Sequence, residues 1–219
     1  MDEVEISHQK LAAEVKSAAE ILNDTACKAT DDHVEGPFYR PGAPDLTDIY
    51  PTDSHGSILY FEGSIVDTDC KRLSATTIEI WHADDLGHYD NDDPGHPPAP
   101  GFFRCRARIK ATFDGQFKIR AVLPANYKPD PSQAWVRVKH LHFKFFGESM
   151  QPLTTEIALL PDGYTATDVL YNPNLAAALE ESSEENNRRV FRAVFNFVLR
   201  KISSTGYVLA AARTLRTAR

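Results

Sequence analysis

The stretch Arg137-Val138-Lys139-His140-Leu141-His142-Phe143 alternates in side-chain character. In a strand, residues two apart share a face, so His140 and His142 point one way while Leu141, Phe143 and Phe145 point the other. One strand thereby carries part of a core on one face and half of a metal site on the other. Taken alone, such a histidine pair serves structural or surface roles more often than metal binding. Two tyrosines upstream change the reading: Tyr89, in Trp81-His82-Ala83-Asp84-Asp85-Leu86-Gly87-His88-Tyr89, and Tyr127, in Leu123-Pro124-Ala125-Asn126-Tyr127.

A phenol is a weak ligand until a strongly Lewis-acidic ion favours its ionised form, and Fe(III) does this well. Two phenolates and a bound hydroxide balance the three charges of the ion, and two neutral imidazoles complete the shell. Such a neutral assembly suits a buried site, where uncompensated charge is costly. Zinc has no need of two tyrosines. The four residues Tyr89, Tyr127, His140 and His142 are therefore read as candidate ligands of one ferric ion. Tyr89 and Tyr127 fall in loops, where catalytic groups gather on a rigid scaffold.

The rest of the chain sets the frame. Its 219 residues suit one domain, and with 42% hydrophobic and 25% charged residues it has an ordinary globular composition. The net charge of −7 argues against nucleic acid as a partner. There is no basic-then-apolar leader and no apolar run of about 18 residues, so no membrane association is expected and a cytoplasmic location is. Cys27, Cys70 and Cys105 lack Cys-x-x-Cys spacing and are read as small buried thiols without a role.

Leu11, Val15, Ala18 and Leu22 predict an amphipathic helix within residues 4–26, part of an N-terminal helical segment 1–30. The Pro- and Gly-rich run from His33 to Pro44 reads as an ordered loop over the domain. Short strands follow at 57–66, 76–81, 105–113, 116–122, 135–146, 153–160 and 191–199, with turn signals at Asp67-Thr68-Asp69, Asp114-Gly115 and Asp162-Gly163. Ala176 to Asn187 reads as a short helix before the last strand. The expected fold is mainly β, a sandwich of mixed sheets spanning 31–201. Residues 202–219 form a basic C-terminal tail. Asp90, Asp92 and Asp93 read as a solvated turn, since Pro94 and the lack of a closing Glu spoil a calcium loop. His82 and His88 read as loop or strand polar residues, and His33 is given no role.

Several motifs in order resemble the intradiol ring-cleaving dioxygenases, the catechol and protocatechuate 3,4-dioxygenase family. They are Glu35-Gly36-Pro37-Phe38-Tyr39 with Pro41-Gly42-Ala43-Pro44, Glu79-Ile80-Trp81-His82-Ala83-Asp84 leading to Tyr89, and Asp114-Gly115 before Pro124 and Tyr127. Arg137, His140 and His142, Leu153-Thr154-Thr155, and Phe195-Asn196-Phe197-Val198-Leu199 continue the series. The resemblance runs from about Val34 to Leu199. It implies non-haem Fe(III) held by two Tyr and two His, and cleavage of a catechol by O₂ between its hydroxylated carbons to a cis,cis-muconate-type product. Tyr89 and His140 would be the ligands that stay in place. Tyr127 and His142 would be the axial pair, with Tyr127 also the base. Arg137 would support negative charge on the ring, and Val34, Pro37 and Phe38 would wall it. A homodimer or other homo-oligomer is expected.

Two departures from the family matter. Val138-Lys139 replace the family's Pro-Ala, and strict alternation then turns Arg137 away from the histidines, so its catalytic role needs an irregularity near Val138. Glu156 replaces a glutamine among the substrate-binding residues and is expected to disfavour carboxylated catechols. Two other readings stay open. One is an Fe(II) oxygenase with a facial triad of His140, His142 and a carboxylate such as Glu156, which would lack the red colour of tyrosinate-bound Fe(III). The other is a non-catalytic sandwich that keeps the motifs.

Overall fold

The computed structural model describes residues 27–130, 132 and 134–202. The expected helix at 4–26 and nearly all of the tail lie outside the described residues. Nine strands are present among the described residues: β1 Ile58–Asp67, β2 Thr77–Trp81, β3 Arg106–Lys110, β4 Gln116–Val122, β5 His140–Phe146, β6 Leu153–Leu160, β7 Ala176–Ala178, β8 Glu180–Glu185 and β9 Arg188–Leu199. They form two sheets, ordered β4-β1-β9-β8 and β3-β2-β5-β6-β7. Each is mixed, because β1 runs parallel to β9 and β6 parallel to β7 among otherwise antiparallel pairs. The mainly β fold of mixed sheets expected from the sequence is the fold observed.

The short helix expected at Ala176–Asn187 is overturned: this segment forms β7 and β8. Its Ala and Glu content favours a helix locally, but β7 pairs with β6 and β8 pairs with β9. Asn186 and Asn187 adopt φ of 51° and 59°, the conformation of a tight hairpin turn that Asn tolerates.

The alternation of β5 divides its side chains as expected. Leu141, Phe143 and Phe145 join Phe61, Phe117, Phe197 and the aliphatic residues in the core. Phe143 lies 5.0 Å from both Phe61 and Phe197, ring centre to ring centre. His140 and His142 point away from this core yet are buried, because a strap of chain covers their face of the sheet.

That strap crosses the sheet strand by strand. His33 N–H donates to Thr154 on β6, Lys144 on β5 donates to Glu35, Tyr39 donates to Glu79 on β2, and Arg108 on β3 donates to Asp45. It is the ordered loop expected from its prolines and glycines. A disulfide between Cys27 and Cys70 fastens its start to the turn after β1. The reading of all three cysteines as buried thiols is therefore corrected: the partners lie 43 residues apart, a separation that leaves no local signature. Cys105 alone is a free buried thiol, its pKa pushed up to about 12 by burial.

Phe143→Ala should cost about 3–5 kcal/mol of stability, the usual range for truncating a buried aromatic side chain. Chemical denaturation of the full chain checks this.

Candidate metal centre

Register builds the floor of the site. Trp81 pairs with His142 across β2 and β5, and His142 with Glu156 across β5 and β6. The indole of Trp81 stacks on His142 at 4.8 Å with planes 2° apart, fixing that ring. His140 is fixed from behind, where its Nδ1–H donates to the Val138 carbonyl at 2.6 Å. This leaves His140 Nε2 with a lone pair facing inward, 3.2 Å from His142 Nε2. Two nitrogens about 2.1 Å from one ion, roughly at right angles, lie about 3 Å apart, so the spacing suits adjacent ligands. Burial holds the pKa of His140 down, and burial with the neighbouring His140 holds that of His142 well down. Both imidazoles are thus in the neutral form that binds metals.

The tyrosines come from two loops knotted together. The Asp84 carboxylate accepts from Leu86 and His88 N–H, and the Asp84 carbonyl accepts from Ala125 N–H. Gly87 makes the close approach, with φ of +86° and a prospective Cβ only 2.8 Å from the Asn126 carbonyl oxygen. Tyr89 then lies edge-on to Tyr127 at 5.5 Å, Tyr127 lies 5.7 Å from the His140 ring, and Tyr89 lies 6.4 Å from that of His142. Tyr89 is buried, and its hydroxyl has no hydrogen-bond partner. Burial, then the adjacent Tyr127, keeps its proton on far above the ordinary phenol range, and burial raises the pKa of Tyr127 too. A buried phenol without a partner needs a strong Lewis acid to ionise. The converging phenols and imidazoles fit such an ion.

Arg137 reaches the histidine face, through the irregularity near Val138 that the sequence required. Regular pairing of β5 begins only at His140, while Arg137 bridges to Tyr127 and Val138 N–H is taken by Asp168 Oδ2 at 2.9 Å. The guanidinium is buried, donating through Nη2 to Glu156 and through Nε to Asp168 at 3.1 Å. Burial alone would raise the pKa of Glu156, but the neighbouring His33 and the buried guanidinium of Arg137 outweigh it and lower it.

The strap supplies the outer wall. Phe38 stacks on Tyr89 at 4.3 Å and meets Tyr127 edge-on at 6.3 Å. A cleft lined by Phe38, Gly87, Tyr89, Asn126, Tyr127 and Pro129 opens beside the tyrosines. Val34 and Pro37 lie on the same strap but are exposed.

Other residues were not legible from the sequence. His33 faces Glu156, Asp168 supports Arg137, and Asp162 accepts from Asn126 and Lys139. His82 is buried, its pKa pushed down to about 4 by burial, whereas His88 is exposed beside Asp92. Asp90 corrects the expected solvated turn. Its buried carboxylate accepts from Arg106 Nε at 2.8 Å, Arg40 Nη1 at 2.7 Å and Arg104 N–H at 3.1 Å, anchoring the residue next to Tyr89.

A family model described as Dioxygenase (Dioxygenase_C) matches residues 34–201. Catechol 1,2-dioxygenase of Acinetobacter baylyi is 34% identical over 159 residues, covering 65% of this chain and 50% of that protein. The chain spans about half the length of the first curated relatives it matches. Among solved structures, 3-chlorocatechol 1,2-dioxygenase from Rhodococcus opacus superposes with a TM-score of 0.71 at 25% identity, covering 86% of this chain and 78% of that one. The dioxygenase domain of a dioxygenase carbohydrate-binding fusion from Streptomyces sp. SirexAA-E gives 0.66 at 25% identity, covering 80% of this chain and all of that one.

Gly87→Ala should force the two tyrosine loops apart, lowering stability by roughly 1–3 kcal/mol as a strained backbone site does. It should also reduce iron bound per chain. Thermal melting and metal analysis of the same preparation check both.

Proposed function

Because the chain belongs to the intradiol ring-cleavage dioxygenase family, we propose that it opens a catechol-type aromatic ring with O₂ to give a cis,cis-muconate-type product. The observation that carries the reading is the convergence of Tyr89, Tyr127, His140 and His142, four residues from three parts of the chain. These four would hold a ferric ion. The ion, when bound, would ionise the phenols and draw electron density from a chelated catechol so that its ring reacts with O₂.

The chain's own residues divide the remaining work. Tyr127, half-buried at the cleft, would accept a substrate proton at its phenolic oxygen. Tyr89, fully buried and anchored through Asp90, keeps its place. Phe38 and the strap around it exclude water and orient the ring edge. Arg137 sets a fixed positive charge beside the histidines that steadies negative charge building on the ring. That guanidinium is already engaged by Glu156 and Asp168, so it is not free to receive a carboxylate on the substrate. A ring without a carboxylate is the preferred substrate.

One observation favours the second reading. His140, His142 and Glu156 offer buried ligand atoms all within 4.8 Å of one another, the composition of an Fe(II) facial triad. Tyr89 and Tyr127 would then have no task, which is why the ferric reading is preferred. Substrate and oxygen apart, we carry a homo-oligomer as the proposed assembly, measurable by light scattering.

No helix among the described residues is long and apolar enough to cross a membrane. A cytoplasmic setting and the Cys27–Cys70 disulfide pull in opposite directions, because disulfides persist mainly in oxidising compartments. Thiol counting on chain isolated from its source under alkylating conditions decides between them.

The iron-loaded protein should be red and consume O₂ with catechol, and much less with protocatechuate. Removing iron should abolish colour and uptake together. Tyr127→Phe should keep iron while lowering turnover by roughly 10²–10⁴-fold, the usual contribution of general acid–base catalysis. A colourless but active iron protein would favour the triad.

A further inference from the structure

His140 and His142 face one site but are held in different ways. His140 Nδ1–H donates to the Val138 carbonyl, the kind of hydrogen bond that orients most metal-binding imidazoles. His142 Nδ1 is buried with no hydrogen-bond partner among the described residues, so this ring takes its orientation from the Trp81 indole stacked on it. The indole is no better tethered, because Trp81 Nε1 is also buried without a partner. A ligand held by a stack depends on whatever fixes the stacked ring.

Tyr39 of the strap is placed to do so. Its ring lies 5.0 Å from that of Trp81 with planes 59° apart, and its hydroxyl donates to Glu79 Oε2 at 2.6 Å. The Lys144 ammonium lies over the same phenol ring, 4.2 Å from its centre, and donates to Glu35 Oε2 at 2.5 Å. Glu35 and Tyr39, the two ends of one five-residue run of the strap, thus meet on Lys144. Register accounts for the assembly. Glu79 pairs with Lys144 across β2 and β5, and two residues along each strand, on the same face, Trp81 pairs with His142. One tyrosine spans the polar pair and the aromatic pair. Beyond His142, the first side-chain hydrogen bond in the series His142, Trp81, Tyr39 is the one from Tyr39 to Glu79.

We propose that Tyr39 is a positioning residue for the metal centre: it sets the plane of Trp81 and, through that indole, the direction in which His142 Nε2 faces the ion. The inference rests on the ligand set proposed above, not on turnover. It gives the last residue of the run Glu35-Gly36-Pro37-Phe38-Tyr39 a task distinct from walling the substrate, since Tyr39 reaches the ion only through another side chain.

The test compares wild type, Tyr39→Phe, Tyr39→Leu and Arg108→Ala in the full iron-loaded chain. Two readouts are used: the visible tyrosinate band together with the symmetry of the ferric EPR signal, and iron affinity by competition with a chelator. Tyr39→Leu removes ring and tether; the band moves, the EPR symmetry changes, and iron binds about 10-fold more weakly, the lower end of what an outer partner of a metal ligand contributes. Tyr39→Phe keeps the ring and loses the tether, so its band stays at the wild-type position while its iron affinity falls between the other two. Arg108→Ala cuts a different link of the strap, to Asp45, without touching the stack, and keeps wild-type values. Wild-type band and affinity in Tyr39→Leu overturn the proposal, as does an equal change in Arg108→Ala, which would make strap closure rather than the stack the cause. If Tyr39→Leu does not fold, Tyr39→Phe decides: weakened iron binding supports the proposal and unchanged affinity overturns it. A wild type that binds iron without the band ends the ferric reading, and this proposal with it. Wild-type values in Tyr39→Leu with the band present end this proposal alone, and a red protein inert toward catechols ends only the ring-cleavage reading.

Discussion

Two neutral imidazoles facing each other 3.2 Å apart in a water-poor interior are the constraint from which the rest of the site follows. Neither ring gains by charging there, since burial penalises both imidazolium forms. What they want is a cation between them, and the groups around them are arranged for that. Val138 turns one lone pair inward, Trp81 sets the plane of the other ring, and two phenols approach from loops. A strand with alternating side chains makes this inexpensive to build, because the face turned from the histidines is already anchored by Leu141, Phe143 and Phe145.

The part of this arrangement that follows short periodicities was legible in the sequence. Alternation in 140–145 separates core from site, and Pro- and Gly-rich composition marks the strap. What was not legible depends on contacts between distant residues. His33 meets Glu156, Asp168 meets Arg137, and Asp90 gathers Arg40 and Arg106, with no local pattern in any of the three. The disulfide belongs to the same class. The misread segment 176–187 failed for a different reason: its Ala and Glu residues have helical preferences, and ladder pairing with β6 and β9 overrode them.

Arg137 lies between these two cases. Alternation alone places it on the wrong face, and the residues after it lack the proline that would announce a break. The break comes instead from Asp168, which draws the Val138 amide out of the ladder and binds the guanidinium with the same oxygen. One carboxylate from a later loop therefore turns Arg137 inward and, through the Val138 carbonyl, steadies His140. Positive charge and metal-facing nitrogen are both set from a single carboxylate oxygen.

The Cys27–Cys70 bond closes the strap at its beginning, just before Thr30 exchanges hydrogen bonds with Val198 and His33 reaches β6. Its links further along are side-chain contacts and isolated bridges rather than a continuous ladder. With the start covalently tied and side chains bonded further along, the strap is held to the molecule on both sides of Phe38, the residue that walls the aromatic cleft.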